Sequence, residues 1–377
     1  MQFINVVLDF VYVICQKRLS SARLLIKTGA GILAATIGIG SIVAALSYNG
    51  ISLSTNSNEP VVSPLVINFA AAIGLLSLVM GICLEIYERI WGEAAKSNRS
   101  KSIDLRSLNN SHAPKLCDQF ETTIDQAGLH DDLYLDQNLN EPITDWLSRT
   151  CAQFDDFSSV KLAKMNRHEP MKPLAMGALA HVPQSFVLGF LVGNRRLVNY
   201  YCWNRDNERP QKNKWVDTRD ARDRGTRITQ NIDLFFKQGI EASNVTKWGL
   251  SIEVSFNNDH NHFMKDLNLD AVSKLEVKQK DIGNLFSEVA QVAVVTRVRS
   301  YINETMKMFP KLKEIHITIT GQASFVMRLG ADFNQNHLPT IKIHHFDRNS
   351  NNYPWCLVLN PSTPSSITFK EQNNETY

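Results

Sequence analysis

PLAMGALAHVPQSFVLGFLVG, residues 173–193, and IHITITGQASFVMRLGADF, residues 315–333, are the two stretches that decide the fold. Each begins with an apolar run typical of a buried strand, makes a short turn and continues as a helical segment. Two strand–turn–helix units in one chain predict an α/β fold with a pseudo-twofold arrangement. Further strands are predicted at 197–203, 248–256, 340–346 and 355–359, and a long amphipathic helix at 285–308.

The segments around and after these stretches also match each other. The corresponding pieces are Gln184–Val187 with Gln322–Val326, Trp203–Arg205 with Phe346–Arg348, and Trp215 with Trp355. The first match requires one residue of slippage. Turns at the carboxyl ends of strands, together with helix N-termini, are where α/β sheets bind anionic ligands. We therefore expect a ligand site at these turns.

The N-terminal part of the chain is strongly apolar, whereas the remainder is polar and rich in charge. No charged residue occurs from Thr28 to Asn58, and Val61–Leu84 is a second uncharged run. An apolar run of about twenty residues is long enough to cross a bilayer as a helix. The pattern predicts two transmembrane helices, at about 29–48 and 62–84. Two soluble core helices are the alternative, but these would show a polar stripe.

The flanking charges predict how this hairpin is oriented. Lys and Arg residues precede the first span and follow the second, whereas the loop 49–60 has neither. By the positive-inside rule, both termini are then cytoplasmic and the tip of the hairpin faces out. Residues 3–15 are too few to span and predict an interfacial helix. Small residues at four-residue spacing, such as Gly31 with Ala35 and Ala70 with Gly74, predict close helix packing, within one hairpin or between protomers.

These features divide the chain into five parts. Residues 1–95 hold the interfacial helix and the two transmembrane helices, and residues 96–114 are a polar, Ser- and Asn-rich linker. Residues 115–157 are a mostly helical connector. The first α/β unit is predicted at 158–245 and the second at 246–377. The expected fold class is a membrane α-helical hairpin joined to an α/β region.

From about residue 158 to residue 366 the chain resembles the SAVED domain, a pair of fused CARF-like Rossmann units. The resemblance rests on the two opening stretches, on the segments YYCWNR and IKIHHFDRNSNNYPWCLVL that follow them, and on WGLSIEVSFNN at 248–258. With two transmembrane helices in front, the whole looks like a transmembrane-SAVED effector of CBASS, a bacterial antiviral defence system. One departure is Gln322–Ser324, which stands where the family frequently has a proline after the strand.

The resemblance implies a function as well as a fold. In that family the SAVED domain binds a cyclic oligonucleotide, a cyclic di- or trinucleotide made by a partner nucleotidyltransferase. Ligand binding drives head-to-tail homo-oligomerisation. The transmembrane helices then act on the lipid bilayer and disrupt the inner membrane, which causes abortive infection.

A cyclic oligonucleotide presents phosphates and base faces, so its pocket needs amides, Lys or Arg side chains and aromatic rings. The candidate ligand-binding residues are Gln184, Ser185, Phe186, Trp203, Arg205, Trp215, Gln322, Ser324, Phe325, Arg348, Tyr353 and Trp355. Ser185 and Ser324 stand at helix starts, where each could instead be an ordinary N-cap. The aromatic candidates could equally belong to the core. Arg205 and Arg348 are favoured because they recur at matching places in both units.

Composition and motifs argue against other classes of protein. A formal net charge of +3 is too small for a protein that coats DNA. The His cluster at 259–262 lies in a polar loop and lacks further ligands at metal spacing, so neither a metal nor a cofactor is expected. No G-x-S-x-G, P-loop or H-E-x-x-H motif occurs, and we expect no catalytic residues. Two alternatives stay open: a membrane-anchored CARF-like enzyme that degrades the signal nucleotide, and a passive scaffold with the hairpin as an anchor.

Overall fold

The computed structural model of the chain describes most residues beyond 98 and two helical segments before them. The described ranges are 25–36, 64–90, 99–108, 113–125, 132–168, 171–193, 196–205, 214–228, 232–334, 337–362 and 367–371. The contacts divide the chain into a helical unit within Gln16–Ser97 and a second unit that holds every described residue from 99 onward.

Two helices, α1 (25–36) and α2 (Pro64–Ile90), form the described part of the helical unit. They pack backbone to backbone at two glycines, since a Cβ added to Gly29 would lie 2.6 Å from the backbone nitrogen of Leu78 and 2.7 Å from the carbonyl oxygen of Gly74. Packing through small residues within one hairpin is therefore present at Gly74. Gly31, which the sequence also suggested, has nothing within 4 Å of an added Cβ.

The predicted membrane helices are not supported by the fold. Among the described residues, no helix combines the length and the apolar character that a bilayer crossing requires. Most of the first predicted span, residues 37–48, and the interfacial helix at 3–15 lie outside the described residues. The outer face of α2 is nevertheless apolar, with exposed side chains at Phe69, Ile73, Leu76 and Met80.

The first sheet of the larger unit contains the first of the two opening stretches. Its strands are β1 (Ser100–Arg106), β2 (Ile124–Asp125), β3 (Leu133–Tyr134), β4 (Leu174–Leu179), β5 (Val198–Trp203) and β6 (Trp215–Asp217). The order is β2-β1-β4-β5-β6, and β3 also pairs with β1. β1, β4 and β5 are parallel, and β6 returns antiparallel to β5.

The second sheet repeats this plan with additional strands. Its strands are β7 (Asp233–Phe236), β8 (Lys247–Glu253), β9 (Ala271–Glu276), β10 (Glu314–Thr320), β11 (Thr340–Asp347), β12 (Asn352–Leu359) and β13 (Ile367–Glu371). The order is β13-β12-β11-β10-β8-β9-β7. β9, β8, β10 and β11 are parallel, whereas β7, β12 and β13 pair antiparallel at the two sides.

Helices cover both faces of the sheets. They are α3 (Leu116–Gln119), α4 (Ile143–Asp156), α5 (Ala163–His168), α6 (Val182–Val192), α7 (His260–Asp266), α8 (Glu288–Met308) and α9 (Ala323–Asp332), with a π-helical segment, Phe157–Leu162, between α4 and α5. One hydrophobic core includes side chains of both sheets and of α4, α6, α8 and α9. The predicted strand–turn–helix units are β4–α6 and β10–α9, so this part of the prediction is confirmed.

Two glycines fix how α6 and α9 pack, and they do so reciprocally. A Cβ on Gly189 of α6 would collide with the backbone of Met327, and a Cβ on Gly330 of α9 would collide with the carbonyl oxygen of Phe186. Gly189 follows Leu174 by the same interval that separates Gly330 from Ile315. Glycine at both positions lets the two helix backbones touch, which explains the pseudo-twofold packing of the two units.

The strand register confirms one predicted match and corrects another. Leu174 pairs with Val198 as Ile315 pairs with Ile341, which makes Trp203–Arg205 equivalent to Phe346–Arg348. The glycine packing, in contrast, makes Gln184 equivalent to Phe325. The predicted match of Gln184–Val187 with Gln322–Val326 was therefore misaligned. It was based on similar residue types at the two helix starts, whereas the packing of the two helices sets the true equivalence.

Two of the predicted domain boundaries are also wrong. Residues 100–106, assigned to the linker 96–114, form β1, which pairs with β4 over six residue pairs in the first sheet. Residues 233–236, assigned to the first unit, form β7 and pair with β9 in the second sheet. The connector 115–157 contains β2 and β3 as well as helices. SKSIDLR looks polar, but it forms a strand in which Asp104 and Arg106 are buried as an ion pair.

Candidate functional site

A cavity of about 350 Å³ lies where the two α/β units meet. The first unit contributes the ends of β4 and β5 and the turn into α6, and the second contributes the ends of β8, β10 and β11 and the turn into α9. The parallel strands of both sheets thus direct their carboxyl ends toward one cavity. This is the place where α/β sheets bind ligands.

The positive charge of the cavity wall comes from two equivalent residues. Arg205 follows β5 and Arg348 follows β11, and both are exposed at the wall of the cavity. The Arg348 guanidinium lies 4.3 Å from the ring centroid of Phe256, a cation–π contact that holds it in place. Trp203, half-buried, lines the same wall beside Arg205. Arginines and aromatic rings together suit a ligand that has both phosphates and bases.

The second unit supplies a polar wall centred on Asn258. The Tyr353 hydroxyl donates to Asn258 Oδ1 at 3.1 Å, and Asn258 Nδ2 lies 3.3 Å from Ser251 Oγ and 3.4 Å from Thr318 Oγ1. These contacts fix which way the amide points. Burial raises the pKa of Tyr353 to about 12, so its hydroxyl stays protonated and remains a donor at neutral pH.

A buried chain of polar groups extends from this wall along β10 and β11. His344, which lines the cavity, shares a 3.0 Å hydrogen bond with His316, whose other ring nitrogen lies 3.0 Å from a Glu314 carboxylate oxygen. The His316 hydrogen bond and Lys342, at 2.7 Å, hold the pKa of Glu314 well below its usual range. Burial lowers the pKa of His344 and of His316. With Glu314 ionised, His316 Nε2 donates to it, and His344 Nε2 donates to His316.

Two further histidines face each other across the boundary between the units. His181, at the end of the turn before α6, lies 4.8 Å edge-to-face from His345 of β11, ring centroid to ring centroid. His345 stacks on Trp355 at 4.8 Å, and Trp146 lies 5.7 Å from His181. Burial lowers the pKa of each histidine to about 4, so both imidazoles are neutral at pH 7.

The structure brings four of the twelve predicted ligand-binding residues to the cavity: Trp203, Arg205, Gln322 and Arg348. Gln322 caps α9, and its side-chain amide donates to the carbonyl of Ile282. Its Oε1 has no hydrogen-bond partner within the described residues.

The other eight predicted residues are buried away from the cavity wall: Gln184, Ser185, Phe186, Trp215, Ser324, Phe325, Tyr353 and Trp355. Phe186 and Phe325 are core side chains, and Trp215 donates its indole N–H to the carbonyl of Pro114 at 2.9 Å. Ser324 accepts a 2.9 Å hydrogen bond from Gln291. Tyr353 and Trp355 contact residues of the cavity wall: Tyr353 donates a hydrogen bond to Asn258, and Trp355 stacks on His345.

Several residues of the wall were missed by the sequence reasoning, above all His181, Asn258 and His345. His181 stands near the end of one predicted strand and His345 near the end of another, so their positions carried a usable signal. Asn258 lies in a loop after β8, where sequence alone shows no preference for a site. Within the described ranges, no three His, Cys, Asp or Glu side chains are placed to hold a metal ion.

Comparison with known proteins gives one family match. Residues 155–359 match the family described as SAVED, the SMODS-associated and fused to various effectors sensor domain. No curated protein matches the chain.

Among solved structures, the chain is distantly similar to Cap4 SAVED/CARF-domain containing receptors. The Acinetobacter baumannii receptor with the cyclic trinucleotide 2'3'3'-cAAA is 13% identical at a TM-score of 0.42, over 77% of this chain and 57% of that one. The same receptor with 3'3'3'-cAAA is 12% identical at 0.44, over 89% and 77%. The Moraxella osloensis receptor is 14% identical at 0.40, over 75% and 55%. The chain thus spans little more than half the length of the first of these. Because the family match covers more than half of the sequence and falls on both α/β units, the chain belongs to the SAVED family of sensor domains.

Proposed function

We propose that the protein is a receptor for a cyclic oligonucleotide, acting in CBASS antiviral defence, and that the cavity between its two units is the binding site. The observation that carries the proposal is the placement of Arg205 and Arg348. They come from equivalent positions of two sequence-distant units and meet at one cavity. A ligand with repeated phosphates on a ring matches such a paired arrangement.

The chemistry of the wall supports a nucleotide over other anions. Arg side chains form charge-assisted hydrogen bonds with phosphate oxygens. Trp203 and Phe346 line the same wall, and base stacking on aromatic rings contributes about 1–3 kcal/mol per base. Inorganic phosphate or a carboxylate would use the arginines alone.

The binding proposal is tested by calorimetry on the full chain with a panel of cyclic di- and trinucleotides. We expect at least one member to bind and Arg348→Ala to weaken it, whereas Arg297→Ala, an exposed arginine of α8 outside the cavity, should not. Failure of every panel member to bind would exclude this function. If the two arginine variants and the unchanged chain bind with equal affinity, this cavity is excluded as the binding site.

We further propose that the helical unit is the output of the receptor and acts on the bacterial inner membrane. The exposed apolar stripe of Phe69, Ile73, Leu76 and Met80 supports an apolar environment for α2. Head-to-tail assembly of the ligand-bound sensor would gather many such helices. A ligand can drive this only by binding the assembled state more tightly than the single chain.

The membrane proposal is tested with phosphatidylethanolamine–phosphatidylglycerol vesicles that contain a self-quenched dye. Addition of the protein and its cyclic oligonucleotide should release the dye, and light scattering should show larger assemblies only with ligand. Gly74→Leu should reduce release because it disturbs the contact with α1, whereas Gly31→Leu, in open space, is the matched control. Release that does not depend on ligand would contradict the proposed coupling.

The alternative of a membrane-anchored enzyme that degrades the signal nucleotide has a weaker physical basis. Acid–base cleavage of a phosphodiester needs a base and a protonated acid near the operating pH. His181 and His345, the two imidazoles that face each other in the cavity, have pKa values lowered to about 4. At pH 7 neither is a protonated acid, which favours binding without cleavage. Linear products after incubation of a cyclic oligonucleotide with the full chain would reverse this preference.

A further inference from the structure

The ring nitrogens of His181 and His345 make no hydrogen bond to the described residues, although both residues lie at the cavity. Among the described residues, no imidazole nitrogen of either histidine makes a hydrogen bond, and none belongs to the fully buried polar atoms. Both residues line the cavity, and neither is fully buried. Their ring nitrogens are therefore available to form hydrogen bonds with a ligand.

The two rings are held rigidly although their nitrogens are unpaired. His345 stacks on Trp355, and Trp146 meets both His181, at 5.7 Å, and Trp355, at 5.4 Å, edge-to-face. The Trp146 indole N–H donates to the carbonyl of Leu135 at 2.7 Å, which anchors this aromatic cluster. The His181 backbone N–H donates to Ser107 Oγ at 2.9 Å. Two preorganised imidazoles, one from each unit, therefore form one composite surface.

The surroundings of this surface carry little charge. The groups packed against the two rings are Trp146 and Trp355, and the acidic group that acts on His345 from the same strand is Asp347. The cations of the cavity wall are Arg205 and Arg348 at its exposed side. A neutral imidazole offers one donor and one acceptor, which complements the edge of a nucleobase. A phosphate, in contrast, requires donors alone and prefers a cation.

We propose that His181 and His345 together form the subsite that recognises a nucleobase of the ligand, while Arg205 and Arg348 recognise its phosphates. The inference rests on the proposed function, because it assigns roles within the same cavity. In this proposal the neutral imidazoles bind the nucleobase, and the arginines bind the phosphates of the cyclic ligand. The two histidines are then specificity-determining residues.

The decisive variants keep the ring and remove its nitrogens. His181→Phe and His345→Phe, in the full chain, should each weaken the tightest-binding cyclic oligonucleotide of the panel by about three- to tenfold, the usual value of a hydrogen bond between neutral groups. They should also reduce the discrimination between cyclic trinucleotides that differ in one base. Arg348→Ala should instead weaken all of them alike. The matched control is His260→Phe, because His260 stacks on Phe235 away from the cavity.

A pH series supplies the second readout. Because burial lowers the pKa of both histidines to about 4, the affinity of the unchanged chain should stay constant between pH 8 and pH 6. Recognition of phosphate by imidazolium would instead raise the affinity as the pH falls through this interval.

The outcomes separate the two proposals. If the unchanged chain binds a panel member but the phenylalanine variants bind it equally and discriminate equally, the base subsite is refuted and the receptor function stands. Binding of no panel member refutes both. Thermal melting without ligand checks that the variants fold, and His181→Gln and His345→Gln, which keep a donor and an acceptor, should restore part of the affinity.

Discussion

The two α/β units share one backbone plan but bury charges of opposite sign at the same place. Register makes Arg106 of β1, beside Leu179, equivalent to Glu253 of β8, beside Thr320. Arg106 forms a bidentate ion pair with Asp104, at 2.6 and 2.9 Å. Glu253 lies 3.1 Å from Lys280 and 3.9 Å from Lys274. The apolar positions and the glycine contact of the repeat are retained, while the polar network is not.

This difference continues into the cavity. Apart from His181, Trp203 and Arg205, the first unit lines it mainly with apolar side chains, such as Leu108, Leu179 and Val182. The second unit contributes most of the polar side chains, among them Asn258, Thr318 and Gln322. The repeat thus preserves the shape that creates a cavity, whereas the polar lining of the cavity differs between the two units. A ring-shaped ligand would meet equivalent arginines but different inner walls.

The largest expected effect compares the two buried charges directly. Arg106→Leu leaves Asp104, 1% exposed, without its cation and should lower the free energy of unfolding by about 3–5 kcal/mol. Glu253→Leu should cost less, about 1.5–3 kcal/mol, because Lys274 and Lys280 keep Glu276 as a partner and are partly exposed. Urea unfolding measures both.

The control for this comparison is Arg227→Leu, which removes an exposed ion pair with Asp223. Its cost should be about 0–1 kcal/mol. Equal losses at Arg106 and Glu253 would show that the two networks are energetically equivalent despite their opposite signs.

The second prediction concerns what the two units share. Gly189→Ala and Gly330→Ala each push a methyl group into the backbone of the opposite helix, so each should destabilise the fold by about 1–3 kcal/mol. Because the contacts are reciprocal, the two losses should be similar. Thermal or urea unfolding checks this, with Gly31→Ala as a control whose added methyl has nothing within 4 Å. A large loss at only one of the two glycines would contradict the pseudo-twofold packing.

The third prediction asks whether the equivalent arginines contribute equally to ligand binding. Arg205→Ala and Arg348→Ala should each weaken the cyclic oligonucleotide by about tenfold, or ~1.4 kcal/mol. The loss should be larger at Arg348, because the Phe256 ring already holds its guanidinium in place. Calorimetry at fixed salt measures the difference. A loss of affinity in only one of the two variants would mean that the cyclic ligand does not contact both units.

Sequence predicted the strands whose buried residues alternate or form apolar runs, such as β4, β10 and β11, and it predicted α8 from its helical spacing. β1 escaped because Asp104 and Arg106 make SKSIDLR look like a loop. Their burial depends on Leu116, whose backbone N–H donates to Asp104, and on the carbonyl oxygens of Ala113 and Pro114, which accept from Arg106. Such tertiary partners cannot be read from a local pattern.

The same distinction applies to the candidate site. Arg205 and Arg348 were predicted because an arginine recurs at the same place in both repeats. The structure keeps them equivalent, since the equivalent strands β5 and β11 end at equivalent places. Ser185 was chosen as a helix-start residue and Gln184 from the match between the repeats, but α6 turns both into the protein interior, where they are fully buried. Which side of a helix N-terminus faces a ligand depends on the packing of the partner helix, and no local sequence rule supplies that.

The smallest expected effect tests the polar inner wall of the second unit. Tyr353→Phe removes the hydroxyl that donates to Asn258 Oδ1, so the amide loses one of the contacts that orient it. We expect a stability loss of about 0.5–1.5 kcal/mol and a roughly threefold loss of ligand affinity. The matched control is Tyr201→Phe in the first unit, where a buried hydroxyl is removed from a residue that does not line the cavity. Because Tyr353 orients a residue of the cavity wall whereas Tyr201 is not a wall residue, Tyr201→Phe should change stability and leave affinity unchanged. Equal affinity losses in the two variants would mean that the loss does not arise from the orientation of Asn258, and the proposed role of this polar wall would be wrong.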